Sequence, residues 1–125
     1  MNGSRAHGFT RNVLPALAYV VVIFVGGSWP NGPETEPVFA LQDKVLHLLA
    51  FAGLELLVLR ALRHLWPAKG RAWLLGVSVV LSCLLGALLE FWQALLPSRQ
   101  AEALDWLADV AGALLAALGS WRSNV

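Results

Sequence analysis

Two long stretches of this chain carry no charged residue, and this feature limits the fold more than any other. They are residues 12–33 and residues 72–89. An α-helix needs about 20 mostly apolar residues to cross roughly 30 Å of hydrocarbon. Both stretches therefore predict a helix that crosses a membrane. Composition agrees, because 58% of the residues are hydrophobic and the mean hydropathy is +0.64, well above the values of ordinary soluble domains.

Two further stretches, residues 45–62 and residues 104–121, are apolar but interrupted by polar side chains. The interruptions are His47, Glu55 and Arg60 in the first stretch and Asp105 and Asp109 in the second. Polar side chains at membrane depth are tolerated where they face other helices or a wet cavity. We therefore predict an all-α, polytopic membrane protein, with one domain over residues 1–125 that forms a bundle of four transmembrane helices. The predicted spans are approximately residues 12–30, 44–63, 72–96 and 104–121.

The positive residues indicate how such a bundle is oriented. Seven of the nine lysines and arginines lie in the N-terminal segment, in the connection between the second and third spans, or in the C-terminal segment. They are Arg5, Arg11, Arg60, Arg63, Lys69, Arg71 and Arg122. Positive residues accumulate on the cytoplasmic side of membrane proteins. The distribution predicts that both termini are cytoplasmic and that the first and third connections face outward.

Polar residues recur on one face of each of the last three predicted spans. Residues that are three, four or seven positions apart share a face of an α-helix. The three stripes are Asp43, His47 and Ala50; Ser82, Gly86, Glu90 and Gln93; and Asp105, Asp109, Gly112 and Ala116. Small residues in such stripes let helices approach closely in lipid. We therefore expect a polar pocket that opens to the outside, formed by Asp43, Lys44, His47, Glu90, Gln93, Arg99, Asp105 and Asp109.

Several of these residues also have a purely structural interpretation. Asp43 and Asp105 stand near predicted helix starts, where a carboxylate commonly caps free backbone amides. Lys44 and Arg99 could extend along the bundle and place their charges in the membrane interface. His47 is compatible with helix packing as well as with proton exchange beside carboxylates.

Glu90 interrupts an apolar span rather than beginning one, so we favour a functional or ion-paired role for it, with Arg99 or His47 as partner. Glu55 lies about two turns deeper than His47. It could pair with a cytoplasmic-side arginine or face a cavity, and the sequence leaves both open. A divalent metal is conceivable at Asp43, His47, Glu90, Asp105 and Asp109, but the chain has no compact ligand motif such as H-E-x-x-H. We therefore predict no metal site and no cofactor.

The order and spacing of these residues resemble a known family. The matching positions are Asp43-Lys44-Val45-Leu46-His47, Glu90-x-x-Gln93, Pro97-Ser98-Arg99 and Asp105-x-x-x-Asp109-x-x-Gly112. Together they are similar to the VanZ-like family over about residues 42–119. That family usually has asparagine where this chain has Asp109, and small or apolar residues where it has Glu55. The resemblance implies a multi-pass protein of the bacterial cytoplasmic membrane, and the family's namesake is linked to reduced susceptibility to the glycopeptide antibiotic teicoplanin.

Two classes of function and one structural alternative fit these observations. The first is a binding or accessory protein that acts at the extracytoplasmic face on a cell-envelope component or an amphipathic antibiotic. The second is a membrane enzyme that uses His47 with Glu90 or Asp105 as acid and base on a lipid-linked substrate. In the third, the polar residues only hold helices together.

The expected partners follow from the same reasoning. They are membrane lipid and an envelope component or glycopeptide ligand, and a homo-oligomer is allowed. Nucleic acid is not expected as a partner, because the formal net charge is only +1 and no strongly basic face is evident.

The predicted orientation can be tested with a reporter enzyme that is active only in the periplasm. A fusion after Val125 should be silent, because the predicted topology keeps the C-terminus in the cytoplasm. A fusion after Gly32, in the first connection, should be active and serves as the control. Strong activity after Val125 would reverse the orientation and move the polar pocket to the cytoplasmic side.

Overall fold

The structure, a computed structural model, describes residues 3–29, 42–97 and 102–123. The regular elements of these residues are five α-helices. In chain order they are α1 (Gly3–Asn12), α2 (Leu14–Ser28), α3 (Gln42–Leu65), α4 (Arg71–Ala94) and α5 (Ala103–Ser123). The all-α fold predicted from the sequence is therefore confirmed for the described part of the chain.

Four helical segments are long and apolar enough to cross a membrane. They are Gly3–Ser28, which joins α1 to α2, and the three helices α3, α4 and α5. The positions agree with the predicted spans, and the ends of α3, α4 and α5 differ from the predicted ends by two residues or fewer. These four helices suggest a multi-pass membrane protein.

The first of these segments is longer than predicted, because the helix begins at Gly3 rather than near residue 12. A break at Val13 separates α1 from α2, and Pro15 lies in the first turn of α2. Proline is tolerated there, since the N–H that it lacks would have no helical partner. Most residues of α1 are polar or small, so no apolar run marks this helix in the sequence. Its contact with α3, in which Arg60 Nε donates to Asn12 Oδ1 at 3.2 Å, forms only in the tertiary structure.

The long helices run alternately in opposite directions. As a result, the helix ends that carry acidic residues lie together, and so do the ends that carry arginines. At one end Gln93 of α4 donates to the carbonyl of Gly27 in α2, and at the other Arg71 of α4 donates to the carbonyl of Ser120 in α5. The first end, here called the acidic end, carries Asp43, Glu90, Glu102, Asp105 and Asp109. The second, the basic end, carries Arg11, Arg60, Arg63, Arg71 and Arg122.

The bundle is apolar outside and partly polar inside. The apolar side chains of Val22, Leu84 and Phe91 are 66%, 60% and 63% exposed, whereas Glu55 and Asp109 are both 0% exposed. Large contiguous apolar surfaces are rare on soluble monomers. Membrane bundles instead direct apolar side chains to lipid and polar ones to the interior. The apolar surface and the length and composition of the helices therefore both suggest a membrane protein.

The apolar core lies between α3, α4 and α5. It includes Phe51 and Leu54 of α3, Leu89 of α4 and Ala117 of α5. In contrast, α2 lies at the edge of the bundle and buries only Ala16. The helix that precedes the first connection is therefore held by less packing than the other three.

The two helices α3 and α5 cross in direct backbone contact at Gly112. A Cβ atom at this position would overlap the carbonyl oxygen of Leu48 and come within 3.1 Å of the backbone nitrogen of Ala52. A residue without a side chain is therefore required at the crossing. The predicted role of the small residue in the α5 stripe, which was to allow close helix approach, agrees with this contact.

Gly112→Ala should destabilise the protein by about 1–3 kcal/mol, because the added methyl group overpacks a crossing whose neighbour is backbone. Gly119→Ala is the matched control on the same helix, since a Cβ atom there meets nothing within 4 Å. It should be neutral or stabilise by up to ~1 kcal/mol through better helix propensity. Thermal unfolding in detergent measures both variants, and equal Tm values would contradict the close crossing.

Candidate functional site

Seven polar side chains gather at the acidic end, where the starts of α3 and α5 meet the last turns of α4. They are Asp43, Lys44, His47, Glu90, Glu102, Asp105 and Asp109, and they are called the polar cluster below. Six of them were predicted as pocket residues, and Glu102 was not. Of the other two predicted residues, Gln93 turns toward α2, and Arg99 lies outside the described residues.

Lys44 joins the start of α3 to the start of α5. Its Nζ donates to Asp105 Oδ1 at 2.5 Å and to Glu102 Oε2 at 2.7 Å. The Asp105 side chain is only 4% exposed, so this ion pair is largely shielded from solvent. A buried carboxylate needs such a partner, because removing either member leaves an uncompensated charge. Lys44 therefore has a specific partner rather than only extending to the interface, and Asp105 has a role besides helix capping.

His47 lies between two aspartates of α5. Its Nδ1 is 2.7 Å from Asp109 Oδ1, and its Nε2 is 3.7 Å from Asp105 Oδ2. When Asp109 is ionised it can only accept a hydrogen bond, so Nδ1 donates in this arrangement. Asp105 and Asp109 are one helical turn apart, and this spacing lets both carboxylates face one imidazole ring. The predicted approach of the α3 and α5 stripes is thereby visible at atomic level.

Glu90 enters the polar cluster from α4. Its Oε2 accepts the backbone N–H of Glu102 at 3.2 Å. Its Oε1 is buried and has no hydrogen-bond partner among the described residues, and the same is true of Asp109 Oδ2. One side-chain atom of each of His47, Glu90 and Asp109 lies within 4.8 Å of the other two. Of the two partners considered from the sequence, His47 makes no direct hydrogen bond to Glu90 among the described residues, and Arg99 lies outside those residues.

Gln93 connects α4 to α2 instead of joining the carboxylates. Its Nε2 donates to the carbonyl oxygen of Gly27 at 3.0 Å, and the side chain is 1% exposed. Residues three positions apart are offset by about 60° around an α-helix, so Glu90 and Gln93 lie on the same broad face of α4 but contact different neighbours. Spacing alone could not show this, because the position of α2 is not encoded in the α4 stripe.

A groove with a volume of about 400 Å³ lies beside the polar cluster, between α2 and α3. Its apolar lining includes Val22, Ile23, Leu46, Phe51 and Leu89. Asp43, His47 and Gln93 contribute polar groups to the same groove, and Tyr19 lines it from α2. The volume falls within the roughly 300–1,000 Å³ typical of ligand pockets. His47 belongs to both the groove and the polar cluster, so the two are continuous.

Glu55 forms a second buried polar group, away from the polar cluster. Ser78 Oγ donates to Glu55 Oε1 at 2.5 Å, and Ser82 Oγ donates to Glu55 Oε2 at 2.8 Å. All three side chains are 0% exposed. The sequence left open an arginine partner or a cavity for Glu55. The structure instead places two serine hydroxyls beside its carboxyl group. Ser78 and Ser82 are one turn apart on α4, and that spacing was a signal the sequence offered.

Two residues that sequence reasoning left out of the site also contribute to it. Glu102 shares Lys44 with Asp105, and its position three residues before Asp105 could have indicated that role. Tyr19 donates its hydroxyl to the carbonyl oxygen of Ala50 at 2.7 Å and so connects α2 to α3 along the groove. No charge or periodicity marks Tyr19 in its apolar span.

Comparisons of the chain with protein-family models, with curated proteins and with solved structures give no match. Function is therefore argued from the groove and the polar cluster themselves.

The Glu55 group can be tested by removing its donors. Ser78→Ala together with Ser82→Ala should destabilise the protein by about 1–3 kcal/mol, because a buried carboxyl group loses its hydrogen bonds. Adding Glu55→Met to this double variant removes the orphaned group and should recover much of the loss. Thermal unfolding in detergent distinguishes the variants. A further loss in the triple variant would show that Glu55 stabilises the bundle by another contact.

Proposed function

We propose that this chain is a multi-pass protein of the bacterial cytoplasmic membrane, related to the VanZ-like family, with both termini in the cytoplasm. We also propose that it binds an amphipathic component of the cell envelope, or an amphipathic antibiotic, at the extracytoplasmic face. Support for the membrane assignment comes from the four apolar helices and the apolar exterior. Support for the orientation comes from the arginines that gather at the basic end.

The observation that carries the proposed binding function is the groove between α2 and α3. Apolar side chains line most of it, and polar groups of Asp43, His47 and Gln93 lie in the same groove. A ligand with a hydrocarbon part and a polar part matches that division, since pockets combine apolar walls with a few polar groups that fix orientation. The loose packing of α2 against the bundle gives such a ligand access from the side, through lipid.

Charge indicates which polar part would be favoured. The described polar cluster contains five carboxylates and one lysine, with His47 between them. An amine at the polar end of the ligand would be attracted to Asp43, whose side chain is 55% exposed and therefore accessible. A phosphate or carboxylate would be repelled. The proposed ligand is accordingly an amphipathic molecule with an amino group.

A membrane enzyme is the second candidate function. It is favoured by the contact between His47 and Asp109. In other enzymes, a carboxylate in such a contact orients a catalytic histidine. We prefer the binding function, because both ring nitrogens of His47 face aspartates rather than a nucleophilic hydroxyl or thiol in the described structure.

The binding function can be tested with a photoactivatable long-chain alkylamine and the purified protein in lipid nanodiscs. Labelled peptides identified by mass spectrometry should come from α2 and α3 around the groove. Gly26→Leu should reduce this labelling strongly, because it fills the groove without a backbone clash. Gly76→Leu is the control, since Gly76 lies on the exposed surface of α4 and has nothing within 4 Å of its Cβ position.

The charge preference is tested in the same assay. Asp43→Asn should weaken labelling by the amine about fivefold, equivalent to the ~1 kcal/mol of an exposed ion pair. It should leave labelling by the corresponding alcohol unchanged. Labelling that is spread over the whole apolar surface, and that Gly26→Leu does not alter, would contradict the binding function and favour a purely structural role for the polar residues.

A further inference from the structure

We propose that His47, Glu90 and Asp109 form a binding site for one divalent transition-metal ion such as Zn²⁺. The three residues come from α3, α4 and α5, so the site would join the three central helices. The proposal is independent of the amphipathic ligand, because the metal would bind among residues of the polar cluster whether or not the groove is filled.

The first support is the distance between the candidate ligand atoms. One nitrogen of His47 and one carboxylate oxygen from each of Glu90 and Asp109 all lie within 4.8 Å of one another. Metal–ligand bonds to histidine nitrogen and carboxylate oxygen are about 2.0–2.2 Å long in zinc sites. Ligand atoms around one ion are therefore separated by no more than about twice that length, and small side-chain movements would bring these three to a single ion.

The second support is independent of the clustering of acidic residues. Asp109 is 0% exposed, yet its Oδ2 has no hydrogen-bond partner among the described residues. Glu90 Oε1 is also buried, and it too has no hydrogen-bond partner among the described residues. Buried carboxylate oxygens without a donor or a cation are costly, and each such atom in a folded protein requires an explanation. A cation held by the two carboxylates would compensate the charge of both side chains.

Gly86 leaves room on the α4 side of this site. A Cβ atom at Gly86 would lie 3.1 Å from Asp109 Oδ2 and 3.3 Å from Asp109 Cβ. Any larger residue at Gly86 would therefore press on the carboxylate whose Oδ2 has no partner. Gly86 precedes Glu90 by one helical turn. The position without a side chain and the candidate ligand Glu90 therefore lie on the same face of α4.

The charges of the neighbouring residues also fit a divalent ion. Two carboxylates and a neutral imidazole would balance the charge of the ion within a largely apolar bundle. Lys44 does not neutralise Glu90 or Asp109, because its hydrogen bonds go to Glu102 and Asp105. Lys44 therefore serves one pair of acids, whereas the described base beside the other pair is His47, which is itself a possible metal ligand.

Binding requires one rearrangement at His47. If Nδ1, which is 2.7 Å from Asp109 Oδ1, becomes a ligand, its proton must move to Nε2. Nε2 lies 3.7 Å from Asp105 Oδ2. Asp105 would then accept a hydrogen bond from the Nε2–H group and so orient the ring. Metal-bound histidines commonly donate their second nitrogen to a carboxylate in this way. A neutral imidazole needs only this tautomer change, whereas an imidazole protonated against Asp109 would release one proton to solvent when the metal binds.

The ligand types select the class of metal. Imidazole nitrogen favours zinc and other first-row transition metals, whereas Mg²⁺ and Ca²⁺ prefer oxygen ligands. A second group, Asp43, His47 and Asp105, also has ligand atoms within 4.8 Å of one another. It is less suitable, because Asp105 Oδ1 is already bound by Lys44 and Asp43 is exposed.

The experiment uses the full chain in detergent, freed of metal by a chelator and titrated with Zn²⁺ by calorimetry. We expect saturable binding of one ion per chain. Asp109→Asn and Glu90→Gln should each weaken binding at least about tenfold, since even changes to residues behind the ligands cost 10–100-fold. Glu102→Gln removes the same charge from a neighbour that is not a ligand, and it should alter the affinity less than about threefold.

A spectroscopic measurement separates coordination from general stability. Co²⁺ added in place of Zn²⁺ should produce visible absorption bands in the wild type and in Glu102→Gln, and these bands should be lost in Glu90→Gln. Helix content and Tm identify any variant that fails to fold. If Asp109→Asn fails to fold, Glu90→Gln alone provides the test. The proposal is overturned if the wild type binds no stoichiometric ion, or if Glu90→Gln binds as Glu102→Gln does. Neither result would alter the labelling of the groove by the alkylamine.

Discussion

The backbone contact between α3 and α5 at Gly112 is the constraint on which the rest of the structure depends. Gly112 follows Asp109 by three residues, and its neighbour across the crossing, Leu48, follows His47 by one. The close approach that puts Gly112 against the Leu48 carbonyl therefore also sets the distance between His47 and Asp109. A wider crossing would separate the imidazole from the carboxylates and would leave Lys44 too far from Asp105 to form their ion pair.

The Glu55 group and the polar cluster differ in how completely their buried oxygens are satisfied. Each oxygen of Glu55 has a serine hydroxyl within hydrogen-bond distance, although Ser78 Oγ also lies 2.9 Å from the carbonyl oxygen of Leu75. In the polar cluster, by contrast, Asp109 and Glu90 each keep one buried oxygen without a partner among the described residues. Gln93 Oε1 and Ser120 Oγ also lack a partner among the described residues, but the oxygens of Glu90 and Asp109 belong to carboxylates that lie close to a third possible metal ligand, His47. That difference is why the proposals concern the acidic end and not Glu55.

His47 connects the two parts of the acidic end. One side of the residue contributes to the groove between α2 and α3, and its ring nitrogens face the aspartates of α5. A ligand in the groove and an ion in the polar cluster would therefore contact the same side chain.

By itself, the sequence determined the number of long apolar helices, their approximate ends and the polar residues of α3, α4 and α5 that face one another. These properties depend on the length of apolar runs and on helical periodicity, which are local. Only the tertiary structure decided that Gln93 contacts α2, that Glu102 shares Lys44, and that Glu55 is held by two serines. The choice among partners depends on how far each helix is rotated and shifted against its neighbours, and contacts between distant residues set that geometry. The extra helix α1 was not predicted for a similar reason, because its residues are mostly polar or small and its contact with Arg60 is made across the fold.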